Sequence, residues 1–138
     1  MPARDRYHDA AKNALIRDGW TVTDDPLRLR YRKKGLYVDL GAEQVFGAEK
    51  GPTRIAVEVK SFLGASDMAD LEAAMGQFVV YEYVLSETHP DRTLYLAVRG
   101  KTYRDVFEEP IGGLLLERSR LRLVVFDEGA EEVIRWIP

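Results

Sequence analysis

The sequence predicts a mixed α/β fold in which a central β-sheet is flanked by helices. The first observation is the order of the apolar periodicities, which alternate between helix and strand as α-β-β-β-β-α-β-α-β-β. The second is a pair of apolar strands at the C-terminal end, which extends the sheet beyond the last helix. With 138 residues, 46% of them hydrophobic, the chain is large enough for one core and too short for two. We therefore predict a single domain over residues 1–138.

The helices are predicted from apolar residues at helical spacing. The first covers about residues 4–18 and stops at Gly19. A long central helix should begin at a cap formed by Ser66 or Asp67 and end near residue 87. Its expected buried stripe is Met68, Leu71, Met75, Phe78, Val79 and Leu85. Gly76, inside this helix, is expected to let it lie close to the sheet. A last helical stretch at 102–117 should be broken near Pro110.

The strands are predicted from β-branched and aromatic residues, with turn residues between them. They lie at residues 20–23, 27–31, 36–40, 55–60, 93–98, 121–126 and 132–137. The strand at 93–98 follows the long helix, so a right-handed crossover should place it parallel to the strand at 55–60. The two closing strands are apolar for a sheet edge, which predicts a possible homodimer or a partner at that edge.

The strand Ile55-Ala56-Val57-Glu58-Val59-Lys60 is unusual because its apolar run presents two charges. Successive side chains of a strand point to opposite faces, so Glu58 and Lys60 share one face. Asp39 closes the preceding strand in the same way, and a hairpin between the two strands would bring it beside them. Two carboxylates and a lysine in a small space match a site for Mg²⁺ or Mn²⁺. The alternative is an ordinary salt-bridged hairpin on a solvated sheet face.

The spacing D-x18-E-x-K on two strands resembles the signature of the PD-(D/E)xK nuclease superfamily, although Val38 replaces the proline of that signature. The order of elements likewise resembles the αβββαβ core of the restriction-endonuclease-like fold, with the C-terminal strand pair added. This resemblance implies catalytic roles for Asp39, Glu58 and Lys60. It also implies that Asp39, Glu58 and the Val59 carbonyl hold the metal, while Lys60 positions the attacking water.

The resemblance implies a catalytic role for a fourth residue, Gln77, and supporting roles for Tyr81 and Asp9. Gln77 and Tyr81 form a Q-x-x-x-Y pair on one face of the central helix, and Gln77 would brace Lys60 or a phosphate. Asp9 matches an acidic residue on the first helix of junction-resolvase-like members, with Asp5 as its competitor. We expect the neighbouring His8 to be a surface histidine rather than a general base or phosphate contact.

The charge distribution bears on DNA binding. The net charge is −3, whereas proteins that bind nucleic acid usually neutralise phosphates with Lys and Arg. A basic cluster just before Asp39 can supply that contact despite the net charge. Its predicted DNA-binding residues are Arg30, Arg32, Lys33 and Lys34. The alternative for this cluster is a solvated turn.

The composition excludes other classes. The chain has no cysteine, which excludes disulfides and thiolate metal sites. No apolar run resembles a signal peptide or a membrane span, so we expect a cytoplasmic protein without a membrane partner.

Longer stretches resemble the XisH family, the excision controlling factors of the fdxN element. They cover residues 3–10, 12–16, 18–20, 24–27, 38–43, 55–63 and 94–98. The resemblance implies programmed DNA excision together with a site-specific recombinase and a companion factor, XisI. Two functions fit it. One is metal-dependent hydrolysis of DNA or binding of DNA junctions; the other is a non-catalytic accessory protein that binds the recombinase or an XisI-like partner through an inherited nuclease fold.

Overall fold

The computed structural model describes residues 5–45, 52–118 and 121–138. Within them the helices are α1 His8–Arg17, α2 Asp67–Thr88, α3 Gly100–Thr102 and α4 Pro110–Arg118, with a π-helical turn at Tyr103–Phe107 between the last two. The strands are β1 Thr21–Asp24, β2 Leu27–Tyr31, β3 Lys34–Val38, β4 Leu40–Val45, β5 Pro52–Val59, β6 Arg92–Arg99, β7 Leu123–Asp127 and β8 Glu132–Ile137. No helix in these ranges combines the length and apolarity of a membrane span.

Six strands form one mixed sheet in the order β1-β4-β5-β6-β7-β8, and β2 and β3 form a separate hairpin. Strand β6 runs parallel to β5, with Glu58 opposite Leu96, as the crossover through α2 predicted. Strands β7 and β8 pair antiparallel at the C-terminal end. The predicted central mixed sheet with flanking helices and an added strand pair is therefore confirmed.

The sheet is covered on both faces, which explains why its central strands are apolar throughout. Ile55, Val57 and Val59 pack on the α1 side, in one core cluster with Leu15. Ala56 points to the opposite face, into the cluster that contains α2. Because side chains alternate along β5, Glu58 also points to the α2 side. Glu58 thus lies under a helix rather than on an open sheet face.

The strand predicted at residues 36–40 is two strands, because Asp39 forms a bend between β3 and β4. β3 pairs with β2 in the hairpin, whereas β4 pairs with β1 and β5 in the large sheet. The chain leaves one sheet and enters the other at Asp39. The apolar pattern on either side reveals strands, but it does not show that they belong to different sheets.

Helix α2 follows the prediction at its start and departs from it on its surface. Ser66 caps it by accepting a 3.1 Å hydrogen bond from Ala69 N–H. Met68 and Val79, predicted to be buried, are 46% and 45% exposed. Gly76 does not lie close to the sheet either, since an added Cβ would meet no atom within 4 Å.

The glycine that permits a close approach is Gly112 in α4. A Cβ at this position would collide with the backbone of Val106 and Phe107. The predicted break near Pro110 lies just before it, where the π-helical turn ends and α4 begins. The close approach lets α4 pack against that turn.

The closing strands do not provide the uncovered apolar edge that the sequence predicted. β7 lies between β6 and β8, and its Val124, Val125 and Phe126 are 1–2% exposed within the single chain. The edge strand is β8, where Ile134 is 53% exposed. Homodimer formation remains a prediction, but the apolar side chains of β7 no longer support it.

Candidate functional site

The bend at Asp39 places its carboxylate beside the end of β5. Val59 N–H donates a 2.7 Å hydrogen bond to Asp39 Oδ2, and Asp39 N–H donates a 3.2 Å hydrogen bond to Glu58 Oε1. Each carboxylate is therefore tied to the backbone of the opposite segment. The two bonds hold the acidic side chains of Asp39 and Glu58 side by side at the edge where the hairpin meets the large sheet.

Glu58 is a buried acid next to a second negative charge. The residue is 7% exposed, and burial raises the pKa of its carboxyl to about 8, with a further contribution from the charge of Asp39. A hydrogen bond to the Asp39 side chain also favours the protonated form. Without a bound cation, the Glu58 carboxyl therefore holds a proton near neutral pH.

Lys60 is the first residue after β5. Its N–H donates a 3.0 Å hydrogen bond to the Ala97 carbonyl, which fixes its backbone against β6. Its Nζ lies 3.8 Å from Glu58 Oε2, and its side chain is 28% exposed. The ammonium lowers the pKa of Glu58 but does not offset burial and Asp39. Lys60 thus lies beside the carboxylate of Glu58 and is also partly exposed to solvent.

Helix α2 covers the site with the two residues predicted to support it. Tyr81 is partly buried, and burial, followed by the negative charges of Glu58 and Asp39, raises the pKa of its hydroxyl to about 12. Its phenol therefore lies within electrostatic reach of both carboxylates and stays neutral. Gln77 lies one turn earlier and is exposed. It lies on the same flank of the helix as Tyr81, and its catalytic role stays a prediction.

A buried histidine extends the site to α1, and the expectation of a surface histidine is wrong. His8 is 3% exposed, and its Nε2 lies 2.7 Å from Asp25 Oδ1. Its Nδ1 has no hydrogen-bond partner within the described residues and lies 3.9 Å from Asp39 Oδ1. His8 therefore joins Asp25 to the carboxylate pair.

Asp25 is held in place from two sides. Lys12 Nζ donates a 2.8 Å hydrogen bond to Asp25 Oδ2. Burial opposes the ionisation of Asp25, but hydrogen bonds and positive charge from Lys12 and His8 outweigh it and lower the pKa of the carboxyl. The sequence did contain a signal for this chain of contacts. His8 lies three residues before Ala11 and seven before Leu15, which places it on the buried stripe of α1.

The two acidic residues predicted to lie on the first helix have different surroundings, and Asp5 precedes α1. Asp9 is exposed on α1. Asp5 lies against the segment that follows Lys60, where its carboxylate accepts a 3.0 Å hydrogen bond from Ser61 N–H and another from the Ser61 hydroxyl. Asp5 and Lys60 line the same cleft of about 210 Å³. The structure thus places Asp5 next to the site, as a residue that anchors its border.

The predicted DNA-binding residues lie on the β2-β3 hairpin. Arg30, Arg32, Lys33 and Lys34 are all exposed. The turn is Arg32-Lys33, and Arg32 adopts a φ of 55°. Arg30 Nε donates a 3.1 Å hydrogen bond to the Arg32 carbonyl, which fixes one guanidinium across the turn. The five residues of β3 join this tip to Asp39 and span about 17 Å, at about 3.3 Å per residue.

The donor set fits a hard divalent cation that keeps several water ligands. Within residues 5–45, 52–118 and 121–138, no group of three or more His, Asp or Glu side chains is arranged to hold a metal. Mg²⁺ differs from ions that need such a cage, because it is commonly bound by one or two carboxylates and water. In the Asp39–Glu58 pair, Asp39 is partly exposed and Glu58 is buried, and the proton on Glu58 would have to leave before such a cation could bind.

The fold and the site define a class of protein, namely a mixed α/β protein with a carboxylate pair and a lysine gathered at the end of a hairpin strand. The sequence model of the XisH protein family matches residues 1–134. The chain therefore belongs to the XisH family.

Two solved structures resemble this chain over nearly its whole length. An XisH family protein from Nostoc punctiforme PCC 73102 is 34% identical, with a TM-score of 0.87, and the match covers 97% of this chain and 100% of the other. A fdxN element excision controlling factor protein from Anabaena variabilis is 36% identical, with a TM-score of 0.86, and the match covers 98% and 100%. A search of curated proteins found no match.

Proposed function

We propose that this protein hydrolyses phosphodiester bonds of DNA during excision of a genomic element, with Mg²⁺ or Mn²⁺ at the Asp39–Glu58 pair. The observation that carries the proposal is the backbone-tied pair formed by the buried Glu58 and the partly exposed Asp39, with Lys60 beside Glu58. Two carboxylates as close as Asp39 and Glu58 repel each other unless a cation or a proton lies between them. A purely structural hairpin has no physical need for such a pair. The similarity of the motif to PD-(D/E)xK nucleases gives the same reaction class.

Each residue of the site would have its own role in hydrolysis. Asp39, Glu58 and the Val59 carbonyl would hold the cation, which when bound supplies charge neutralisation and a more acidic water. Lys60 would orient the attacking water and stabilise charge on the phosphate oxygens. The water oxygen forms the new bond to phosphorus, its proton passes to solvent or a neighbouring base, and the leaving oxygen takes up a proton. Gln77 would brace Lys60 or contact a phosphate.

DNA would approach along the basic hairpin. The exposed cations at its tip lie about 17 Å from Asp39 along β3, which corresponds to about five nucleotides of a strand at about 3.4 Å each. A DNA strand in the cleft could therefore contact the tip and the site together. The net charge of −3 does not prevent this, because five of the twenty Lys and Arg residues lie together on this one hairpin.

A cleavage assay tests this proposal. Purified protein is incubated with duplex, nicked, branched and single-stranded DNA, with Mg²⁺, with Mn²⁺ or with a chelator. Wild type should cleave at least one substrate in a metal-dependent way. Lys60→Ala and Glu58→Ala should lose about a hundredfold or more in rate. Arg17→Ala is the matched control and should keep the wild-type rate. It also removes an exposed cation, but Arg17 lies nine residues after His8 on α1, which is about 13 Å along the helix away from the site.

The competing function is that of an accessory protein which binds a recombinase or an XisI-like factor without cleaving DNA. The observation in its favour is that the Anabaena variabilis relative is described as an excision controlling factor. If wild type cleaves none of the substrates, and Lys60→Ala and Glu58→Ala still support excision in cells, catalysis is refuted and the accessory function stands.

A further inference from the structure

Helix α2 presents an apolar surface to solvent on the side opposite its buried stripe. Tyr83 is 72% exposed and Val80 is 50% exposed, although α2 already buries Phe78 and Leu85 against the sheet. Exposed apolar residues are ordinary when they are scattered. These two are adjacent on the helix surface, because they are three residues apart.

The exposed residues follow a spacing that is typical of helix–helix contact. Ala69, Ala73, Gly76, Val80 and Tyr83 are all exposed and are separated by four, three, four and three residues. This is the a/d spacing of a coiled-coil seam. We call these five residues the α2 seam. Its small residues lie towards the start of the helix and its large ones lie towards the end.

Gly76 lies at the centre of the seam and provides an independent observation. Glycine in the interior of a helix is unfavourable relative to alanine. An added Cβ would meet no atom within 4 Å, so nothing in the described chain requires glycine there. Open space over a bare backbone is what a second helix needs for close approach.

The charges around the seam decide what kind of helix fits. Residues 67–88 contain five carboxylates and no Lys, Arg or His. Glu72 is exposed beside the seam, and Glu87, four residues after Tyr83, is exposed at its C-terminal end. A second copy of α2 would bring two acidic rims together, and DNA would bring phosphates to them. A helix with basic residues beside its apolar face has the complementary charge.

We propose that the α2 seam is a docking surface for a helix of a partner protein, with an apolar face flanked by Lys and Arg. The seam runs along the same helix as Gln77 and Tyr81. The seam faces away from the sheet, but its Ala73 lines the same cleft as Lys60. A partner docked on the seam would therefore border that cleft, and its binding could be coupled to DNA processing there. This surface does not depend on whether the protein cleaves DNA.

The test uses two synthetic helical peptides with the same leucine seam, one with lysine and one with glutamate at the flanking positions. NMR titration of the full chain should show the lysine peptide binding, with shifts concentrated on residues 69–83. Tyr83→Ala should weaken this binding about tenfold or more. Ile134→Ala is the matched control, because this equally exposed apolar residue lies on β8 and should leave binding unchanged.

Three results would overturn the docking surface. These are failure of the lysine peptide to bind, equal binding of the glutamate peptide, and a dimer in sedimentation that Tyr83→Ala dissociates. Cleavage assays keep this proposal separate from the catalytic one. Tyr83→Ala should retain any metal-dependent cleavage, whereas Lys60→Ala should retain peptide binding.

Discussion

Replacement of Glu58 by glutamine is the sharpest test of the buried carboxyl. The pKa of Glu58 rises from 4.5 to about 8 on folding, chiefly because the group is buried. Between these pH values the folded protein holds a proton that the unfolded chain has released. The stabilising effect is therefore complete below about pH 4.5 and is lost as the pH rises through about 8. Each pH unit in this interval is worth about 1.4 kcal/mol, so the free energy of unfolding should fall by up to about 5 kcal/mol.

Glutamine keeps the shape of the protonated acid and carries no charge at any pH. The variant should therefore lack this pH-dependent loss and should be the more stable protein at about pH 9. Urea unfolding of both proteins, without divalent cations, at about pH 5, 7 and 9 would measure the difference. The exposed Glu72→Gln on α2 is the control and should follow wild type. Parallel pH profiles for wild type and Glu58→Gln would refute the buried, protonated carboxyl.

The same experiment detects the cation without relying on activity. At about pH 8, Mg²⁺ at a hundredfold excess over its dissociation constant should stabilise wild type by about 2.7 kcal/mol. Glu58→Gln should gain much less, because it retains only one of the two carboxylates. Equal stabilisation of both proteins would show that Mg²⁺ binds elsewhere.

Three further predictions concern other parts of the chain. Gly112→Ala should destabilise the protein by more than about 2 kcal/mol in denaturant unfolding, because its Cβ would collide with backbone, while Gly76→Ala, in open space on a helix, should stabilise it by up to about 1 kcal/mol. Lys33→Ala with Lys34→Ala should weaken DNA binding on all sequences and reduce the slope of log K against log salt by about 1.8, and an unchanged slope would exclude the hairpin as a phosphate contact. His8→Ala should cost about 1–3 kcal/mol of stability, measured by thermal unfolding, because it removes a buried side chain together with its hydrogen bond to Asp25.

Much of the fold was predictable from local patterns. The alternation along residues 55–60 put Glu58 and Lys60 on one face, and the acid at the end of the preceding strand placed Asp39 beside them. The spacing of Ser66 from the first turn of α2 predicted its cap. Such features depend on residues that are close in sequence or on simple hairpin geometry. They can be read from periodicity alone because strand and helix repeats are dictated by the backbone.

The tertiary structure decided which face of each element is buried. Met68 and Val79 have the same apolar character as the buried residues of α2, but the helix turns them to solvent because Leu71, Phe78 and Leu85 fit the sheet. Apolar residues lie on more than one side of α2, so the sequence pattern alone does not show which side of the helix packs against the sheet.

The same holds for the surroundings of the site. His8 and Asp25 are 17 residues apart, and their contact exists only because α1 packs beside the segment that follows β1. The sequence contains two acids and a lysine that strand geometry brings together. Only the packing of α1 and α2 over the sheet buries Glu58 and raises its pKa, because the loss of water depends on every element that covers the carboxyl.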